Sequence, residues 1–217
     1  MIKCVIFDMD GTLLDSETVG LIAWQKVIDK FSLDMDLTLP IASIGLNYNS
    51  MERLFADNMG ADFPFRKYWD EAKVFCAEYE KEHGVAVKKG FDSLSRFLKE
   101  NGIKSVVATS TYHNSAVKKL TNAGIWDCFD GLFGGDEIVN GKPDPEIFLK
   151  AAELFGYTKD EQLIVEDSEN GVRAALSAGI RCVYIKDIKD IEPQTESRVF
   201  ARTADLSGVA DVIKGIS

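Results

Sequence analysis

The chain has 217 residues, 46% of them hydrophobic and 28% charged, the composition of a globular protein large enough to bury its own core. That excludes disordered, collagen-like and disulfide-scaffold classes. With 25 Lys and Arg against 35 Asp and Glu the net charge is −10, so the basic footprint of a nucleic-acid or anionic-membrane binder is missing. The opening MIKCVIFD turns acidic too soon for a signal peptide, and no apolar run reaches the length of a membrane span. These features point to a cytoplasmic protein.

In chain order, the apolar run over residues 3–8 predicts a first, buried strand. From about 16 to 87 the pattern turns helical: Leu21, Trp24, Val27, Ile28 and Phe31 recur at helix spacing, as do Met51, Leu54 and Phe55, and 68–79 reads as a further helix. Short apolar runs at 104–109, 131–134, 162–166 and 181–185 predict four more strands. Helical patterns over 116–122, 145–155 and 169–178 separate them, the last ending at a C-capping Gly179. The fold class is α/β: a Rossmann-like parallel sheet with helices on both faces. An ordinary crossover needs far fewer residues than lie between the first two strands. Residues 16–87 therefore read as an inserted α-helical domain, and 1–15 with 88–217 as the α/β core.

Four cysteines without a C-x-x-C pair, and only two histidines, argue against zinc. Cys4 and Cys182 lie in apolar runs and read as buried free thiols.

In an open parallel sheet, ligands bind beyond the carboxyl ends of the strands. The first strand ends in Asp8-Met9-Asp10-Gly11-Thr12 and the second in Thr109-Ser110-Thr111. The loop after the third holds Gly141-Lys142-Pro143-Asp144-Pro145, and the fourth ends in Glu166-Asp167-Ser168. Carboxylates gathered this closely need compensation. With oxygen donors and neither His nor Cys beside them, the hard cation Mg²⁺ is the natural one. A hydroxyl, an ammonium and backbone N–H groups suit a phosphate, and the set suits phosphoryl transfer. Singly, Asp8 and Asp10 would be a solvated turn, Thr109 a helix cap and Lys142 a surface lysine. Asp15 reads as a helix cap or hinge residue, and His113 and His83 as surface and structural histidines.

DMDGTLLD at 8–15, ATST at 108–111, GKPDPEIF at 141–148 and VEDSENGVRAALSAG at 165–179 together resemble the haloacid dehalogenase superfamily, in the branch with a helical cap after the first strand. The resemblance covers nearly the whole chain. It implies that Asp8 is the nucleophile, forming an aspartyl-phosphate, and that Asp10 is general acid and then base. It assigns the phosphoryl oxygens to Thr109, Ser110 and Lys142 beside Asp8. It assigns Mg²⁺ to Asp8, the Asp10 main-chain carbonyl and Asp167, with Glu166 beside them.

Within that branch the look-alikes are small-molecule phosphatases and β-phosphoglucomutase. The mutase pattern has a histidine where this chain has Gly20, and a cationic arginine where it has Gly45-Leu46-Asn47-Tyr48-Asn49-Ser50. The expected function is hydrolysis of a small phosphorylated metabolite, a sugar or polyol phosphate, by a monomer, with Asn47 and Tyr48 contacting substrate from the cap. The alternatives are a phosphosugar mutase and, from another class, a non-enzymatic phospho-acceptor or interaction protein. A signalling receiver would lack the helical insert and carry its acceptor on the third strand. Dehalogenases lack the second aspartate, here Asp10. Phosphonate cleavage needs a Schiff-base lysine in the cap, where the first helix offers only Lys26 and Lys30.

Overall fold

A computed structural model describes residues 1–46 and 48–216. Chain contacts divide it into two compact units, Met1–Asp15 with Ala86–Ser217, and Ser16–Val85. The return boundary falls two residues earlier than the helical pattern suggests. The reason is local pairing inside the first unit: Val87 bridges Leu14, and the Lys88 N–H donates to the Leu13 carbonyl at 2.9 Å.

The first unit opens with β1 (Cys4–Phe7), buried throughout. The second unit follows, with α1 (Ser16–Phe31), α2 (Thr38–Ser43), α3 (Tyr48–Met59) and α4 (Phe65–His83). Its core is aromatic. Trp24 stacks on Phe55 at 5.0 Å between ring centroids, and Phe65 lies 4.8 Å from Phe55. Such rings add specific edge and face contacts to the area they bury. A cavity of about 190 Å³ lies within this unit, its lining including Gly20, Trp24, Gly45, Leu46, Trp69 and Lys73.

The first unit resumes with α5 (Phe91–Glu100), β2 (Lys104–Ala108), α6 (His113–Asn122) and β3 (Gly131–Phe133). Then come α7 (Glu146–Glu153), β4 (Gln162–Glu166), α8 (Glu169–Ala178) and β5 (Arg181–Ile185). The short α9 (Pro193–Glu196), β6 (Ala201–Thr203) and α10 (Ser207–Lys214) end it. The sheet order is β3-β2-β1-β4-β5-β6, every neighbouring pair parallel. This is the expected Rossmann-like α/β architecture. Strand α-helix alternation missed α5, although Phe91, Leu94 and Leu98 give it a buried face. It also missed β6, a three-residue edge strand with no apolar run.

Register positions the chemistry. Phe7 pairs with Val107 on one side and Val165 on the other. The residues that follow, Asp8, Thr109, Glu166 and Asp167, therefore leave three adjacent strands at one edge. Among the described residues no helix is long and apolar enough to cross a membrane.

Candidate active site

Asp8 stands just past the end of β1, 7% exposed, its N–H donating to the Val165 carbonyl at 3.0 Å. Lys142, from the loop before α7, donates to Asp8 Oδ1 at 2.5 Å and to Glu166 Oε1 at 2.8 Å. Its ammonium nitrogen lies over the Phe148 ring, 4.7 Å from the centroid. Burial would lower the Lys142 pKa, but the two carboxylates and their hydrogen bonds overcome it and raise the pKa. Asp8 moves the other way from an ordinary carboxyl: burial pushes it up to about 8, the charge of Lys142 pulling down and that of Glu166 pushing up further. One ammonium serves two acids, so the lysine gains two partners while each acid gains only a share.

Glu166 has both oxygens engaged. Oε1 accepts from Lys142, and Oε2 accepts the Ser168 N–H at 2.6 Å and the Ser168 hydroxyl at 3.0 Å. Ser168 in turn caps α8, its oxygen accepting the Gly171 N–H at 3.1 Å. A Cβ on Gly171 would stand 1.5 Å from Glu166 Oε1. The glycine of the DSENG stretch thus opens the space into which Glu166 folds.

Asp167 accepts the Thr12 hydroxyl at 2.6 Å on Oδ1. Its Oδ2 lies where a Cβ on Gly11 would come within 2.4 Å, and Gly11 has φ +85°. Both facts require glycine there. Burial raises the Asp167 pKa well above the usual range, and the charges of Glu166, Asp8 and, more weakly, Asp187 add to the rise against the Thr12 hydrogen bond.

Asp10 faces the other flank. Its Oδ2 accepts the Thr111 hydroxyl at 2.7 Å and makes a long contact of 3.5 Å with the Thr109 hydroxyl, and Lys119 reaches its Oδ1 at 3.3 Å. Thr109 does not cap α6. Its oxygen accepts the Thr111 N–H at 3.1 Å, and the helix starts at His113. Ser110 is exposed at the same strand end. His113 is fastened rather than loose, with Nδ1 2.8 Å from Glu137 Oε2 and its N–H donating to Asp136 at 2.6 Å.

A model of the family described as haloacid dehalogenase-like hydrolase matches residues 5–185. The chain belongs to this family. This haloacid dehalogenase-like hydrolase is 32% identical over 187 residues, 84% of each chain, to a phosphorylated carbohydrates phosphatase of Thermotoga maritima. It is 27% identical over 192 residues to a β-phosphoglucomutase of Bacillus subtilis, covering 84% of this chain and 83% of that one. A crystal structure of β-phosphoglucomutase from Clostridium difficile superposes with a TM-score of 0.78 at 23% identity, over 100% of this chain and 97% of that one. That likeness shows the fold alone.

For a haloacid dehalogenase-like hydrolase the question is then which groups could hold a cation. Among the described residues no three His, Cys, Asp or Glu side chains form a ready cage. The donor chemistry nevertheless fits a hard ion. Asp8 and Asp167 are oxygen donors whose buried charges are under-compensated, while the oxygens of Glu166 are taken by Lys142 and Ser168. Just past β5, Asp187 is bonded through Oδ1 to Lys88, which also reaches Asp15 at 3.0 Å. Asp187 Oδ2 is buried with no hydrogen-bond partner. An orphaned carboxylate oxygen whose charge is felt at Asp167 is the kind of group a bound cation or its water satisfies.

Three of these participants escape sequence reading. Lys119 looks like any helix-surface lysine, Lys88 lies in a charge run, and Asp187 stands in a loop without a motif. Of the residues expected to touch substrate from the helical unit, Asn47 lies outside the described residues. Tyr48 packs in the aromatic cluster of that unit, 5.5 Å from the Phe65 ring, with its hydroxyl 3.5 Å from Glu52.

Proposed function

We propose that this hydrolase is a Mg²⁺-dependent phosphatase of small phosphate monoesters, sugar or polyol phosphates above all, working through an aspartyl-phosphate on Asp8. The observation that carries the reading is the buried Lys142 between Asp8 and Glu166, at the strand end beyond which Asp10 is held by Thr111 and Lys119. The likeness to a carbohydrate-phosphate phosphatase supports the substrate class.

In this mechanism an Asp8 oxygen attacks phosphorus while the bond from phosphorus to the leaving oxygen breaks, and the Asp10 carboxyl gives that oxygen its proton. Asp10, now a carboxylate, takes a proton from water as the water oxygen attacks. The bond from phosphorus to Asp8 breaks, and inorganic phosphate leaves. Lys142 and the Thr109 hydroxyl hold the phosphoryl oxygens, and Glu166 keeps the Lys142 ammonium in place rather than serving as a ligand. The carboxylates of Asp8 and Asp167 and the Asp10 main-chain carbonyl would hold Mg²⁺, which when bound supplies the positive charge that lets an acidic site accept an anion.

A phosphate-release screen over a panel of sugar and polyol phosphates and p-nitrophenyl phosphate tests the reading. Wild type releases phosphate, and Asp8→Asn loses at least about 10³-fold of the rate. Equal turnover in Asp8→Asn overturns the nucleophile. Interconversion of β-glucose 1-phosphate and glucose 6-phosphate without phosphate release replaces hydrolysis by the mutase reaction.

A further inference from the structure

The motifs supply one cation, Lys142, and the fold brings a second to the other catalytic acid. Lys119 is on α6, where Ala116 and Leu120 are buried and Lys118 is exposed. Lys119 lies between these extremes, its side chain 25% exposed, with Nζ 3.3 Å from Asp10 Oδ1. Two features of helix geometry put it there. Because α6 follows β2, its first turn sits at the carboxyl edge of the sheet. Helical side chains also lean toward the helix N-terminus, so a long lysine stem carries its charge back along the axis to that edge.

We propose that Lys119 is a positioning residue that fixes the side chain of Asp10 for proton transfer, an inference that rests on the phosphatase reading. Asp10 Oδ2 is held by the hydroxyls of Thr111 and Thr109, and Oδ1 by Lys119. These three groups come from one short stretch, the end of β2 and α6, and the same stretch carries the Thr109 hydroxyl assigned to the phosphoryl group. The lysine gives the set its charged contact, which is stronger than a neutral one. It also fixes the carboxylate plane: with one oxygen toward the threonines and the other toward the helix, rotation about the Cβ–Cγ bond breaks a contact at each end. Lys119 does not touch the reacting atoms; it acts through Asp10.

Leaving-group dependence separates this role from a structural one. An alkoxide needs the Asp10 proton as it departs, whereas p-nitrophenolate leaves without it. The experiment measures Lys119→Met and Lys119→Arg with Mg²⁺ on p-nitrophenyl phosphate and on whichever alkyl phosphate of the panel the wild type hydrolyses fastest, following single-turnover phosphoryl transfer to the enzyme. The alkyl-to-aryl rate ratio falls by about 10- to 100-fold in Lys119→Met, a part of the roughly 10²–10⁴-fold that acid–base catalysis contributes, and Lys119→Arg restores most of it. A loss shared equally by both substrates, or no loss, overturns the proposal, because the ratio is internal to each preparation and cancels any fraction of unfolded protein. Failure of the phosphatase reading shows separately: the wild type then releases no phosphate that depends on Asp8.

Discussion

The two units solve opposite problems. In the α/β unit the interior ends in polar and charged groups: Asp8, Thr12, Thr109, Glu166 and Asp167 are all buried at the end of the sheet. In the helical unit Ser43 is the one buried polar side chain among the described residues, and Trp24, Phe55 and Phe65 make the core. The same ion pair has different meanings in the two. Lys142 and Asp8 are 7% and 10% exposed at their side chains, whereas Lys73 and Asp70, on α4, are 58% and 53% exposed. Water already solvates the exposed pair, so its formation gains little. Removing one partner of the buried pair strands the others in a medium that cannot solvate them.

Lys142→Met should show this most strongly. It leaves Asp8 and Glu166 facing each other, and urea unfolding at pH 8 should report a loss of roughly 3–5 kcal/mol. A loss below about 1 kcal/mol would remove the contrast between the units.

The next effect is one of pH. Asp8, raised to about 8, and Asp167, raised by burial, both carry folded-state values above the ordinary carboxyl value of about 4. Stability from such groups is complete below the ordinary value and is lost as pH climbs through the folded one. Chelator-treated protein should therefore melt roughly 5–10 °C lower at pH 8.5 than at pH 5.5, the effect of about 2–3 kcal/mol in a chain of this size. Mg²⁺ at 100 times its pH 8.5 dissociation constant should return about 2.7 kcal/mol there, and the same concentration should return less at pH 5.5, where the carboxylates are protonated. A melting temperature that rises between those pH values without metal would contradict the charge balance drawn for the site.

The smallest effect belongs to Lys73→Ala. The exposed Lys73–Asp70 pair should leave the urea midpoint unmoved within error. A clear shift would mean that α4 depends on its surface charges.

Much of this was legible in the chain itself. The wholly apolar run at 4–7 reads as a strand buried on both faces, and the acids directly after it must emerge at the sheet edge, because a strand has a fixed direction and length. Local spacing likewise fixed Thr109, Lys142, Glu166 and Asp167 as strand-end or loop residues, and Gly179 as the cap of α8, where it takes φ +71°. The aromatic spacing of the helical unit announced its core in the same way.

What the tertiary structure alone decided is which of these groups touch. The Lys119–Asp10 contact spans 109 positions and that of Lys88 with Asp187 spans 99. Neither leaves a periodic trace, because each depends on how a helix or loop packs on the sheet and on the reach of one long side chain. The division of labour between Glu166 and Asp167 is of the same kind. Two adjacent acids look alike in sequence, but successive residues leave a strand in opposite directions. One therefore meets Lys142 and Ser168, the other Thr12 and the space beside Gly11. Residue types and their order set the chemistry that this edge can perform, and the packing of α6, α8 and the loop after β5 onto that edge assigns each acid its neighbour.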